Sequence, residues 1–211
     1  RDNLPERRYC LEILFKEFLG LDYTLSYGST NYVIVVNNHH TIEIEDHFFN
    51  NHPAPLSYLS IDNIPGAPLE RALHLEGIEV PVIYGNPSIE QLNDKVFCHI
   101  DIFASVFFML TRWEETLIKD YDSHGRSLAS SSLAYKQDFL DIPVVDYYLE
   151  ILRDLLKRAG VRGDQMLSGL TELNITHDVD DLFRLDPLRK TIRTVAGDVL
   201  HRKSLSKVAL T

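Results

Sequence analysis

Several features that would place a protein in a definite class are scarce or absent from this sequence. Its 211 residues include two cysteines, Cys10 and Cys98. Two are too few for a disulfide framework or a zinc knuckle, so we expect reduced thiols in an apolar core. No run of about 18 apolar residues occurs, and we therefore expect no membrane span. The first residues lack the apolar core of a signal peptide, which favours a cytoplasmic location, although the chain begins with Arg1 rather than Met.

Positive charge is also in short supply. The net charge of -10 argues against general nucleic-acid binding. Residues 182–211 are the exception, because seven Lys and Arg residues against two Asp give this segment a net charge of +5. We interpret it as a solvated helix face, with binding of an anionic partner as the alternative. The length suggests one domain, or one domain plus part of another.

Three helices are predicted from the spacing of apolar residues. Residues 5–19 form an amphipathic pattern that ends at a glycine. Asp101 is suited to cap a helix over residues 102–118, which is apolar on nearly all sides and is therefore predicted to lie at the centre of the core. A third helix is predicted from Pro143 to Gly160.

Short strands are predicted between the helices, by alternation of apolar and polar residues or by apolar runs. They are Tyr23–Tyr27, Tyr32–Val36, Thr41–Glu45 and Val80–Tyr84. The turn-forming residues Gly85-Asn86-Pro87 are predicted to close the last of them. The mixture predicts an α/β domain over residues 1–160, a linker over 161–169 and the start of a second domain at residue 170.

Isolated polar residues in the first domain have structural interpretations. His39 and His40 are predicted to lie on a surface turn, and no two histidines have the i, i+4 spacing of a helical metal site. Residues 120–126 are interpreted as a solvated loop. Arg112 and the glutamates after it are interpreted as an intramolecular Arg–carboxylate anchor. No glycine-rich phosphate loop and no Ser-His-Asp order is present.

A cluster of carboxylates near the end of the sequence is the most informative feature. A predicted strand, Glu172–Thr176, is followed by Asp178, Asp180 and Asp181, and a helix is predicted over roughly 187–202. Neighbouring carboxylates raise one another's pKa, which favours a bound cation. In barrel-type α/β enzymes, catalytic residues lie at the C-terminal ends of strands. A turn or a helix cap is the alternative interpretation.

The segment Leu173-Asn-Ile-Thr-His-Asp-Val-Asp180 resembles the first motif of the polysaccharide deacetylase family (NodB homology, carbohydrate esterase family 4). Two upstream blocks, Ile100–Glu115 and His124–Asp146, resemble the domain that precedes the deacetylase barrel in a bacterial subgroup. The resemblance implies an α/β accessory domain over residues 1–160, joined to the first β/α unit of a deacetylase-type barrel over residues 170–211.

The resemblance also implies roles for two aspartates. By position, Asp178 matches the family's catalytic base and Asp180 matches a ligand of the divalent metal, for which zinc is expected foremost. The metal would polarise the amide of an N-acetylated polysaccharide, and Asp178 would take a proton from the attacking water. The family's His-x-x-x-His pair does not occur before Thr211. The resemblance therefore implies a fragment with one metal ligand of three, expected to be inactive and to bind zinc weakly.

Two other function classes remain open. In the first, residues 1–160 are a non-catalytic module that binds glycan or protein, and the carboxylates are helix caps. In the second, Asp178-x-Asp180 holds the metal of a glycosyltransferase and a sugar nucleotide. The second class predicts a nucleotide-binding sheet upstream, and the sequence shows no phosphate loop there.

Overall fold

The protein is described from a computed structural model. The structure describes residues 3–24, 30–36, 40–66, 69, 72–75, 77–93, 95–167 and 174–178. The chain divides into two units, residues 1–169 and 170–211. Helices and strands are mixed in the first unit, as expected of the α/β class.

A four-stranded sheet is the framework of the first unit. The strands of the described residues are β1 (Tyr32–Val36), β2 (His40–Ile44), β3 (Ala72–Leu75), β4 (Ile78–Pro81), β5 (Gly85–Leu92) and β6 (Lys95–Ile100). The sheet has the order β1-β2-β6-β5, and β3 pairs with β4 separately. Strands β2 and β6 are parallel, whereas β1 and β5 run antiparallel to their neighbours. The carboxyl ends of β2 and β6 therefore lie at the same edge of the sheet.

The two faces of this sheet differ because side chains alternate along each strand. On the inner face, Ile42, Ile44 and Ile100 are fully buried in a core cluster shared with the helices. On the outer face, Val33 is 45% exposed and Val35 is 58% exposed. We call this outer surface the open face.

Helices complete the core on the inner side. The α-helices of the described residues are α1 (Leu4–Leu11), α2 (Phe48–Asn51), α3 (Ile102–Thr111), α4 (Glu114–Leu117), α5 (Leu133–Lys136) and α6 (Val144–Arg158). A π-helical segment, Glu12–Phe18, continues α1, and Gly20 follows with a φ of +65°. The helix predicted over 5–19 is thus present, with its second half π-helical. None of the helices in the described residues is long and apolar enough to cross a membrane.

Helix α3 confirms the prediction of a capped and buried helix. The Asp101 side chain accepts a hydrogen bond from the backbone N–H of Ala104, and residues 102–108 are all buried. The helix ends earlier than the predicted residue 118, because Arg112 adopts a left-handed conformation with a φ of 48°. The chain then turns into the short helix α4.

Helix α6 also agrees with its predicted ends. Pro143 is its N-cap residue, and Gly160 follows it with a φ of +87°. A left-handed residue just past a helix is favourable for glycine because it has no Cβ. Leu149, Leu152 and Leu156 lie on the buried side of the helix, and Val145 is partly buried.

The strand predictions are partly wrong. Strands β1 and β2 match two of them within one residue. Gly85-Asn86-Pro87 begins the long strand β5 instead of closing one at Val80–Tyr84. Tyr23 and Thr24 are not in a strand, and residues 25–27 of that prediction lie outside the described residues. Strands β3 and β6 were not predicted.

The segment after α6 is attached to the first unit as far as the structure describes it. Met166 is buried, and the N–H of Leu167 donates to the carbonyl of Leu19 at 2.9 Å. The Arg153 guanidinium donates to the carbonyl of Leu167 at 2.7 Å. Residues 161–167 of the predicted linker are thus hydrogen-bonded to the domain that precedes them.

Replacing Arg153 by Met should destabilise this attachment. The substitution removes the donor to the carbonyls of Leu167 and Phe18 and the ion pair with Glu150, at a total cost of about 1–2 kcal/mol. The matched control is Arg158→Met in the same helix, where the exposed pair with Asp154 contributes about 0.5 kcal/mol or less. Urea unfolding of both variants measures the difference. Equal free energies of unfolding would show that these contacts of Arg153 do not stabilise the attachment.

Candidate functional site

The predicted catalytic aspartate lies in the short described segment 174–178. All five residues are exposed, and Ile175 is 86% exposed. The strand predicted over Glu172–Thr176 is absent from its described part, residues 174–176, where no described strand pairs with the chain. The pattern of alternation is insufficient on its own, because a strand requires a partner for its backbone groups.

The proposed metal ligand cannot be placed. Asp180 and Asp181 lie outside the described residues, as does the helix predicted over 187–202. Among the residues that the structure describes, no group of three His, Cys, Asp or Glu side chains could hold a metal ion. Asp178 supplies one exposed carboxylate, and zinc sites in proteins need three or four ligands. The described residues alone therefore do not form a zinc site.

A second group of polar residues lies at the carboxyl ends of the parallel strands β2 and β6. Ligands of open α/β sheets bind preferentially at such an edge. Nδ1 of His99 lies 3.7 Å from Oε2 of Glu45, and Nε2 of the same ring lies 3.7 Å from Oε1 of Glu90. Nδ1 of His47 lies 3.8 Å from the other oxygen of Glu45. Carboxylates and imidazoles thus alternate along this edge.

These side chains are accessible to a ligand. The side chain of Glu90 is 70% exposed, that of His47 is 60% exposed and that of His99 is 40% exposed. Their separations exceed a direct hydrogen bond, so their polar atoms can also contact a bound molecule. Glu45 and His99 were not singled out in the sequence. The alternation of Lys95–Ile100 was the available signal, since it puts His99 on the same face as Phe97.

A buried polar layer lies beneath this edge. Oδ2 of Asp101 accepts hydrogen bonds from the N–H groups of His47 at 3.0 Å and Phe48 at 2.9 Å. Oδ1 accepts from Ala104 at 3.1 Å. The pKa of Asp101 is raised to about 7. Burial is the main cause and the nearby Asp46 acts in the same direction, while the three N–H groups act in the opposite direction.

The same layer contains a buried ion pair. The Arg7 guanidinium pairs with the carboxylate of Asp46 and donates to the hydroxyl of Tyr32 at 2.9 Å. Asp101 is completely inaccessible, and Arg7 and Asp46 are 5% and 2% exposed. These groups cannot contact a ligand in this conformation. We therefore assign them a structural role, which is to fix the ends of β2 and β6.

The predictions for the other polar residues are confirmed for Arg112 and residues 120–126 and are wrong for His40. Arg112 pairs with Glu115, as expected of an anchor. Residues 120–126 form an exposed loop in which the backbone N–H and the guanidinium of Arg126 lower the pKa of Asp122. His40 is the first residue of β2 instead of part of a turn, and His39 lies outside the described residues.

The two cysteines lie in the hydrophobic core, as expected. Both are free and buried. Burial raises the pKa of Cys98 to about 12 and raises that of Cys10 as well. A thiol with so high a pKa is not a nucleophile at neutral pH.

Comparison with known proteins gives one result for the first unit. Residues 1–160 match the model of the DUF7033 family, whose description is a family of unknown function. No curated protein and no solved structure matches the sequence. The matched range includes the sheet, the six α-helices of the described residues and the edge with Glu45 and His99, and it ends before Asp178. Since it covers more than half of the sequence, the chain belongs to the DUF7033 family.

Proposed function

We propose that this chain is part of a metal-dependent polysaccharide deacetylase, which hydrolyses the amide bond of an N-acetylated sugar. The observation that carries the proposal is the run Thr176-His-Asp-Val-Asp180, which resembles the first motif of that family. The exposure of His177 and Asp178 supports it, because a catalytic base must be accessible to substrate and water.

The proposed role of Asp178 is that of general base. A divalent metal, zinc foremost, would supply an acidic bound water when present. Asp178 would accept the proton of that water, and Asp180 would be one of the metal's ligands. Further ligands are needed, because one carboxylate does not hold zinc. The deacetylase barrel to which these residues would belong is part of the proposal.

The test is acetate release from an N-acetylglucosamine oligomer in the presence of zinc. We expect none from residues 1–211 alone. The product of the complete open reading frame should release acetate, and Asp178→Asn should reduce the rate by about 100-fold or more. Asp141→Asn, at another exposed aspartate, is the control and should leave the rate unchanged. Full activity of the Asp178→Asn variant would show that Asp178 is not the general base. If the complete protein releases no acetate in the presence of zinc, the proposed deacetylase activity is wrong.

A further inference from the structure

We infer that the open face of the four-stranded sheet binds a polysaccharide that carries free amino groups. This is the class of polymer that N-deacetylation produces, so the inference complements the proposed function. It depends only on residues of the first unit, however, and it can hold or fail independently of the role of Asp178. It assigns glycan binding to a surface of residues 1–160, whether or not Asp178 is catalytic.

The strand register puts an aromatic ring between two carboxylates. Glu43 of β2 pairs with Phe97 of β6, and Phe97 pairs with Glu90 of β5. Val33 of β1 pairs with Glu43 and extends the same row. Because adjacent strands are about 4.8 Å apart, the backbones that carry Glu43 and Glu90 are about 10 Å apart, on either side of Phe97.

The charges of this row remain available to a ligand. Nδ2 of Asn31 donates to Oε1 of Glu43 at 2.7 Å, which orients that carboxylate without neutralising it. Glu90 is 70% exposed, and its described ionic neighbour is the ring of His99 at 3.7 Å. Glu45 contributes a third carboxylate toward the edge with His99. The row therefore holds carboxylates on either side of an aromatic ring. By strand alternation, the exposed Lys95 and the ring of His99 are basic groups on the same face, two residues before and two residues after Phe97.

An aminopolysaccharide has the matching chemistry. A sugar ring presents an apolar face that can pack on Phe97, and ammonium groups on either side can pair with Glu43 and Glu90. An N-acetylated chain has no charge for these carboxylates. A second copy of this chain would bring carboxylates against carboxylates, a repulsion that Lys95 of each copy would offset only in part. Charge complementarity thus favours a cationic polymer over a neutral polymer or self-association.

The first test is calorimetric titration of the 211-residue protein with glucosamine hexamer and with N-acetylglucosamine hexamer at mildly acidic pH and low salt. We expect the glucosamine hexamer to bind about tenfold more tightly, since two exposed ion pairs each contribute a factor of about three to five. The difference should shrink as salt is added. Equal affinities, or no binding of the glucosamine hexamer, would overturn the inference.

A pair of matched variants locates the surface. Glu90→Gln should weaken binding of the glucosamine hexamer about three- to fivefold. The control is Glu79→Gln, because Glu79 is a strand glutamate of the other sheet, is 73% exposed and lies 3.9 Å from His74. It should leave the affinity unchanged. If the two variants change the affinity equally, the open face is not the binding site.

Two further measurements separate the inference from its rivals. A lysine hexamer should bind more weakly than the glucosamine hexamer, because it lacks a ring to pack on Phe97. If it binds as tightly, the surface recognises positive charge alone and the polysaccharide assignment is wrong.

Sedimentation at increasing protein concentration should give the mass of a single chain throughout. If the mass does double, and the substitution Val35→Lys abolishes the doubling, the open face is an interface between two copies of the chain.

Discussion

Replacing Gly85 by alanine should lower the free energy of unfolding by about 3 kcal/mol or more. Gly85 begins β5 with a φ of +90°, a conformation that costs an L-amino acid about 1–2 kcal/mol. A Cβ at this position would also lie 2.6 Å from the backbone nitrogen of Asp101 and against the carbonyl oxygen of His99. Both atoms belong to the backbone, so they cannot move aside as a flexible side chain would. Overpacking of this kind adds about 1–3 kcal/mol.

Gly125→Ala is the control that separates these two costs. Gly125 also has a positive φ, of +76°, but a Cβ there would meet nothing within 4 Å. We expect Gly125→Ala to lower the free energy of unfolding by about 1–2 kcal/mol, which is the cost of the positive φ alone. Urea unfolding of both variants measures the difference. If Gly85→Ala is no worse than Gly125→Ala, the close approach of β5 to β6 is relaxed in solution and does not require glycine.

The position of Gly85 also shows why β5 was missed in the sequence. Gly-Asn-Pro is typical of a turn, and local chemistry predicted an end of structure there. The pairing shifts between Gly85 and Ile89, so the strand begins with an irregular stretch that brings its backbone close to β6. Such a stretch is specified by the partner strand, and a single sequence does not reveal the partner.

Helices were predicted more successfully because their signals are local. The cap at Asp101, the apolar circumference of α3 and the glycine after α6 all act within a few residues of the feature they determine. The candidate edge is different in kind. Glu45 and His99 are brought together by the parallel pairing of β2 with β6, which joins residues more than 50 positions apart. Neither residue carries a motif, so only the register could place them together.

The buried layer was equally hidden from sequence reasoning. Arg7 lies in a helix predicted to be amphipathic, and charged residues in such a helix are expected on its solvent side. It is instead buried against Asp46 and Tyr32. Removing one partner of a buried ion pair leaves the other charge without compensation, so the burial of Arg7 depends on its contact with Asp46. Asp101 belongs to this layer without a basic partner of its own among the described contacts.

Replacing Asp101 by alanine should cost about 3–5 kcal/mol at pH 5. The substitution removes the acceptor of the buried N–H groups of Phe48 and Ala104 and of the partly buried N–H of His47, and a buried donor without an acceptor costs about 1–3 kcal/mol. It disconnects α2 from the start of α3 as well as removing a helix cap. Ser132→Ala, which removes the cap of α5, is the control and should cost about 1 kcal/mol. Similar losses in the two variants would mean that Asp101 acts as an ordinary cap.

The effect of Asp101→Ala should decrease as the pH rises. Burial raises the pKa of Asp101 from an ordinary value of 3.8 to about 7, so the folded protein binds a proton that the unfolded chain has lost. Stability from this proton is complete below about pH 4 and disappears as the pH rises through 7, a change of at most about 4 kcal/mol. Alanine abolishes this dependence.

The measurement is the free energy of unfolding of both proteins between pH 4 and 8. Glu114, whose pKa is also raised by burial, is present in both, so the difference between their slopes isolates Asp101. The unaltered protein should lose stability toward pH 8 more steeply than the variant. Parallel curves would show that Asp101 stays ionised throughout, and that its three N–H donors outweigh the cost of burying its charge.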